Sequence, residues 1–129
     1  LDTIDIEEEL FDFQKKYFDA SEWKDQIFQH LGDAIDIIPT LNKKFDLVFI
    51  DADKENYVNY FHLIVPIMNK GGIILSDNVL WSGKVLEEVK GNDKSTTVLL
   101  EYNKLVKEDP RVETVLLPIR DGLTISRVL

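Results

Sequence analysis

Cysteine is absent from this sequence, and histidine occurs only twice, at His30 and His62. Disulfides, thiolate zinc sites and cysteine nucleophiles are therefore excluded. An imidazole-rich metal site is excluded as well, so any metal must be held by oxygen. No apolar run approaches the roughly 18–20 residues that cross a bilayer as a helix. The first residues, Leu1-Asp2-Thr3-Ile4-Asp5, carry no initiating Met, no basic segment and no signal-peptide core. The chain reads as an excised piece of a longer one, and the cytoplasm is its expected compartment. Basic residues are in the minority: 15 Lys and Arg stand against 24 Asp and Glu, a net charge of −9. Such a surface repels phosphate backbones and anionic lipid heads, so neither nucleic acid nor a membrane is an expected partner.

What is present is ordinary for a globular protein: 129 residues, 44% hydrophobic and 30% charged. That length supplies one core, so a single domain over 1–129 is expected. Short β runs alternate with helical periodicity. Residues 1–6 read as a strand and 7–18 as a helix, with Leu10, Phe11, Phe13, Tyr17 and Phe18 on one face. A strand over 26–31 and a brief helix over 34–41 follow. FDLVFI, 45–50, is a nearly continuous apolar run of the kind buried on both faces of a parallel sheet. The pattern then predicts a helix over 55–68 that kinks or ends at Pro66, a strand over 73–76 after Gly71-Gly72, and a polar loop over 77–93. A helix over 95–108 is capped by Ser95 or Asp93. Two strands, 112–117 and 123–129, are joined by the turn Arg120-Asp121-Gly122 as an antiparallel hairpin. The fold class is α/β: a doubly wound, mostly parallel sheet with helices on both faces and a C-terminal antiparallel hairpin.

In such sheets ligands bind beyond the carboxyl ends of the strands. FDLVFI ends in Asp51-Ala52-Asp53-Lys54, and the next strand ends in Asp77-Asn78. If the two strands are neighbours, Asp51, Asp77 and Asn78 form an oxygen cluster for Mg²⁺, Ca²⁺ or Mn²⁺. The bland alternative is that each Asp caps a following helix. Lys54, three residues past Asp51, is a general-base candidate near a cation, or else an ordinary surface lysine. Asp5 ends the first strand, where an acid accepts hydrogen bonds from a cofactor ribose. Asp33 and Ala34 follow the next strand in a small-residue turn that suits an adenine, although turns use such residues anyway. Trp81 is a wall for a flat substrate or a core residue. His30 and His62 have no partner at ligand spacing.

At FDLVFIDADKENY, GGIILSDNVLWSGKV and IRDGLTISRVL the sequence resembles the caffeoyl-CoA and catechol O-methyltransferase family, whose members are cation-dependent and use S-adenosylmethionine. TIDIEEEL and GDAIDIIPTL are weaker matches, and the likeness runs along essentially the whole chain in the family's order. The resemblance implies Asp51, Asp77 and Asn78 as metal ligands and Lys54 as the residue that takes the acceptor proton. Asp51 belongs to the catalytic and cofactor-side groups as well. Asp5 matches the ribose-holding acid, Asp33 and Ala34 the adenine side, and Asp53 a cofactor-proximal acid. Trp81 and Ser82 fall on the substrate side.

The implied reaction moves a methyl group from S-adenosylmethionine to a metal-chelated hydroxyl of a catechol-like or caffeoyl-like acceptor. A homodimer is the expected assembly. Ser82 stands where plant enzymes typically carry an asparagine, and Asp53 where animal catechol enzymes have a tryptophan. The chain thus resembles the bacterial or plant branch, with its acceptor open. The family's glycine-rich loop, first strand and N-terminal helices would precede Leu1. The expected sheet therefore has a gap, or closes up differently, between 1–6 and 45–50, and this stretch alone is expected to hold the cofactor poorly or not at all; a folding or dimerising body without activity of its own is the alternative.

A phosphoacceptor receiver domain is the competing reading, with Asp51 as the phosphorylated residue. It needs a pair of acids just after its first strand and a Lys-Pro at its last strand end. The sequence offers Leu117-Pro118 there and leaves Asp77-Asn78 without a task. A dehydrogenase-type nucleotide module rests on Asp5 alone.

Overall fold

The computed structural model describes all of residues 1–129, which form two compact units, Leu1–Asn42 and Lys43–Leu129. In the first, β1 (Asp2–Asp5) and β2 (Phe28–Leu31) pair in parallel, from Asp2 opposite Phe28 to Asp5 opposite Leu31. They are connected through α1 (Glu8–Asp19), which has Glu8 and Glu9 in its first turn and Lys16 in its last, charges matched to the helix dipole. This unit is thinly packed. Ile38 is its one buried residue, and Leu10, Phe13 and Tyr17 of α1 stay exposed. A polar clasp holds α1 instead: the Gln14 amide donates to Asp5 Oδ2 at 2.7 Å, and the Gln29 amide donates to Gln14 at 2.9 Å and to the Phe11 carbonyl at 3.2 Å. His30 meets Asp2 at 2.9 Å, a structural pairing. The brief helix expected over 34–41 is one turn, α2 (Ala34–Ile37). It passes into a 3₁₀ turn at Pro39, which has no N–H to continue the ladder.

The second unit contains β3 (Phe45–Ile50), α3 (Tyr57–Ile64), β4 (Met68–Asp77), α4 (Lys94–Glu108), β5 (Val112–Leu117) and β6 (Leu123–Val128). The strand order is β3-β4-β6-β5, with β3 parallel to β4 and β6 antiparallel to both its neighbours. The α/β class and the C-terminal hairpin are as the sequence implies, and the sheet is mixed. β1 and β3 belong to separate sheets.

Three expectations change. The helix over 55–68 is broken into 3₁₀ turns at Lys54–Asn56 and Val65–Ile67 around the eight-residue α3, the second of them holding Pro66. Gly71-Gly72 does not precede β4 but lies inside it. Phe45 faces Met68 and Leu47 faces Ile73, so β4 bulges there. Gly71 takes φ +83°, and a Cβ on Gly72 would stand 2.9 Å from the Asn69 carbonyl oxygen. Finally, β3 is buried on one face only. Leu47 and Phe49 are 59% and 57% exposed. β3 is an edge strand, and α3 and α4 cover the opposite face, where Ile50, Ile74, Ser76 and Ser126 are buried.

The core lies under those two helices. Tyr57 and Phe61 of α3 and Leu99 and Tyr102 of α4 are fully buried. Tyr57 meets Tyr102 edge-on with ring centroids 5.3 Å apart. The Tyr102 hydroxyl bonds Ser76 of β4 at 2.5 Å, fastening α4 to the sheet. Asp93, not Ser95, caps α4, accepting from the Thr96 N–H at 3.0 Å and its hydroxyl at 2.8 Å. No helix is long and apolar enough to cross a membrane.

Gly122 of the β5–β6 turn sits at φ +84°, and a Cβ there would lie 2.5 Å from Leu80 Cγ. Gly122→Ala is expected to lower stability by about 1–3 kcal/mol, combining backbone strain with overpacking. Gly71→Ala, at φ +83° with nothing within 4 Å of its Cβ, carries only the backbone part. Urea melts of the two variants test this, and equal midpoints refute the packing contribution.

The Asp93 carboxyl is held below its usual value, chiefly by the Thr96 N–H it accepts. A lowered carboxyl pKa stabilises the fold above the unfolded value of about 3.9 and loses that contribution as pH falls through the folded value. The melting-temperature deficit of Asp93→Ala is therefore expected to be full at pH 7 and to shrink below about pH 4. A deficit independent of pH would contradict the cap assignment.

Candidate active site

Parallel pairing puts the carboxyl ends of β3 and β4 at one edge of the sheet. Ile50 is opposite Ser76, so Asp51 and Asp77 leave adjacent strands at the same level, with backbones roughly 4.8 Å apart. Neither caps a helix. Asp51 Oδ1 accepts from Lys54 Nζ at 3.3 Å, and Asp77 Oδ1 accepts from the Asn78 N–H at 2.8 Å. Asn78 has φ 59°, a left-handed conformation that Asn tolerates better than most residues. The bland reading of the two acids thus fails on geometry. No group of three or more His, Cys, Asp and Glu side chains suited to a metal is present. The candidate donors are two carboxylates and a carboxamide, an all-oxygen set whose chemistry fits a hard cation that keeps some of its water.

Lys54 is not the surface lysine of the alternative reading. It is 8% exposed and is the one charged residue among those buried. Nζ donates to the Tyr57 hydroxyl at 2.5 Å as well as to Asp51, and lies 6.0 Å from the centre of the Trp81 ring. Burial first, and the negative charge of Asp51 second, push the Tyr57 phenol far above its usual value, so it stays protonated.

Asp53 is engaged by its own helix. Oδ1 accepts from the Tyr60 hydroxyl at 2.5 Å and Oδ2 from the Asn56 amide at 2.7 Å. Trp81 is half-buried, with its indole N–H unpartnered and a second ammonium, that of Lys84, 5.7 Å from its ring. Ser82 is exposed, and its N–H donates to Asp121 Oδ1. Asn78, Trp81 and Ser82 all have positive φ. This strained loop is held from the β5–β6 turn, where the carbonyls of Asp121 and Gly122 accept from the N–H groups of Leu80 at 2.9 Å and Val79 at 3.2 Å.

The remaining predicted residues lie in the first unit. Asp5 ends β1, and its carbonyl accepts from the Gly32 N–H at 2.9 Å, so Asp5 and Asp33 share one strand edge. The Asp5 carboxyl is held below its usual value, first by the Glu7 N–H at 3.0 Å and then by Gln14. It is a fixed anion at a strand end. Asp33 caps α2 through the Ile35 N–H at 2.8 Å, and Ala34 opens that helix. The capping role is therefore real for Asp33. Within the second unit the structure assembles Asp51, Lys54, Asp77, Asn78 and Trp81 around the ends of two strands.

Sequence reading missed Tyr57, Asp121 and Gln14. Tyr57 sits three residues beyond Lys54, the spacing of one 3₁₀ turn, and that was the available signal. The tie from Asp121 to Ser82 joins positions 39 apart and leaves no local trace.

Comparison with known proteins identifies the family. A profile described as O-methyltransferase matches residues 1–129. Caffeoyl-CoA O-methyltransferase 1 of Eucalyptus globulus is 32% identical over 135 residues, covering 97% of this chain and 55% of its own length. Tapetum-specific methyltransferase 1 of Arabidopsis thaliana is 42% identical over 91 residues, covering 67% of this chain and 39% of its own. An O-methyltransferase from Bacillus cereus, solved in complex with SAH, superposes with a TM-score of 0.90 at 25% identity, over 99% of this chain and 62% of that one. An SAH-bound methyltransferase from Podospora anserina gives 0.87 at 28% identity, over 99% and 60%. The chain spans about half the length of the curated relatives it matches. With the profile covering every residue, this chain belongs to the O-methyltransferase family.

Proposed function

We propose that this chain carries the metal-binding, proton-accepting and acceptor-facing residues of an S-adenosylmethionine-dependent O-methyltransferase acting on an aromatic vicinal diol. The observation that carries this reading is the buried Lys54 ammonium held against Asp51, at the strand end next to Asp77 and Asn78. Asp51, Asp77 and Asn78 would hold a divalent cation, which when bound lowers the pKa of a chelated phenol. Lys54 takes the proton from the acceptor hydroxyl as the neutral amine, after its ammonium has released one proton to solvent. The oxygen then attacks the methyl carbon of the sulfonium: a C–O bond forms, the C–S bond breaks, and S-adenosylhomocysteine leaves. Trp81 offers a flat apolar wall beside Lys54. Asp5, Asp33 and Ala34 are assigned to the ribose and adenine of the cofactor. The names of the plant relatives and the SAH in the Bacillus and Podospora structures support this reading. No observation favours the receiver alternative, and the profile that matches residues 1–129 is that of an O-methyltransferase.

The direct measurement is methyl transfer to a caffeoyl-type diol at saturating cofactor. Transfer is expected to require Mg²⁺ or Mn²⁺ and to stop with EDTA. It is expected to fall about 10²- to 10⁴-fold in Lys54→Met, the usual contribution of a general base. Transfer that proceeds equally in EDTA, or a Lys54→Met variant at the parent rate, overturns the assignment. Weak cofactor binding by residues 1–129 alone is a separate expectation. Titration calorimetry showing micromolar affinity for S-adenosylmethionine would refute it.

A further inference from the structure

Lys54 is a buried charge on a four-carbon stem, and such a group needs fixed partners. Its salt-bridge partner is a poor anchor, because the Asp51 side chain is half exposed. The closer contact is the Tyr57 hydroxyl, at 2.5 Å. Tyr57 is fully buried, and its ring is set edge-on against Tyr102, itself tied to Ser76. The same hydroxyl lies 3.2 Å from the carbonyl oxygen of Ile50, the last residue of β3. It lies 2.9 Å from the carbonyl oxygen of Asp77, the last residue of β4. With one proton to give, it accepts from Lys54 and donates to these carbonyls. One atom thereby joins the buried ammonium to the peptide units just ahead of Asp51 and Asn78.

We propose that Tyr57 is a positioning residue: its hydroxyl sets the place of Lys54 Nζ and the spacing of the two strand ends that carry Asp51, Asp77 and Asn78. The proposal rests on the functional reading above for its catalytic meaning, but its structural content is testable without it. Tyr57 touches neither acceptor nor cofactor in this role. A phenylalanine in its place keeps the ring packing and removes all three polar contacts. Lys54 is then left with one partly solvated partner and several rotamers to explore.

The test is trace acylation of the folded protein with acetic anhydride, each lysine quantified by mass spectrometry, with exposed Lys15 as internal reference. Lys54 of the parent protein is expected to react far more slowly than Lys15. Tyr57→Phe is expected to raise the Lys54 rate about tenfold or more, the worth of a hydrogen bond to a charged group. Tyr102→Phe, which deletes the neighbouring buried hydroxyl, is expected to leave it unchanged. A parent Lys54 that reacts as fast as Lys15 overturns the proposal before any variant is made. An unchanged rate in Tyr57→Phe overturns it, as does an equal rise in Tyr102→Phe, which would mean general loosening of the core.

In methyl transfer, Tyr57→Phe is expected to lower kcat about tenfold or more while KM for cofactor stays within about threefold, the mark of lost orientation. A fall in both parameters together counts against positioning. Should the parent protein transfer no methyl group, the proposed function fails, and the acylation rates still decide the role of Tyr57.

Discussion

The parallel pairing of β3 with β4 is the constraint on which the site depends. Parallel strands present their carboxyl ends at one edge, and the fixed register of Ile50 with Ser76 brings Asp51 and Asp77 to the same level. A slip of β3 by one residue would turn Ile50 away from the helices that bury it and carry the two acids out of line. Register is protected at both ends of the pair. At the amino end the bulge around Gly71-Gly72 absorbs the extra residues of β4. At the carboxyl end the Tyr57 hydroxyl bridges the final carbonyls of the two strands. α3 makes the parallel return, so the helix that permits the pairing also supplies the residue that spans it.

The two units differ in what holds them. The second has an aromatic core in which Tyr57, Phe61 and Tyr102 interlock, and it can bear the cost of burying Lys54. The first buries a single residue, Ile38, and relies on side-chain hydrogen bonds that run from Asp5 through Gln14 to Gln29. Such bonds contribute about 1 kcal/mol each, because the unfolded chain satisfies the same groups with water. The residues assigned to the cofactor ribose and adenine, Asp5, Asp33 and Ala34, sit on the weaker scaffold, and those assigned to metal and proton transfer on the stronger. The difference suits their tasks, since a proton acceptor tolerates far less misplacement than a ribose contact.

Much of this was legible in the sequence for identifiable reasons. FDLVFI ends at Ile50 because Asp51 breaks the apolar run, and the turn at Arg120-Asp121-Gly122 announces the hairpin. The acids at the ends of β3 and β4 could be placed together once the strands were taken as neighbours. What could not be read depends on tertiary neighbours. An apolar run does not reveal whether both of its faces will be covered, and Leu47 and Phe49 are exposed because the helices lie on the other side. A lysine is by default a surface residue, so the burial of Lys54 needed the position of Tyr57 to be known. Pro66 signalled a break, but not that the helix would also begin late, at Tyr57.

In the proposed reading the loop after β4 separates acceptor choice from chemistry. Asn78, Trp81, Ser82 and Gly83 all have positive φ, a conformation that costs energy at each non-glycine position. It persists because Asp121 and Gly122 of the hairpin turn accept three of its N–H groups, and because Gly122 has no Cβ to strike Leu80. In the proposed reading Asn78, the first strained residue, belongs to the metal set, while Trp81 and Ser82 face the acceptor. The same clamp therefore fixes both Asn78 and Trp81. Ser82 is nonetheless exposed and is held through its backbone, leaving its side chain free of any structural duty. Exchange at this position can alter the exposed surface of the loop, which meets the acceptor in the proposed reading, without disturbing Asp51, Lys54 or Asp77, each of which is placed by the strand ends and by Tyr57.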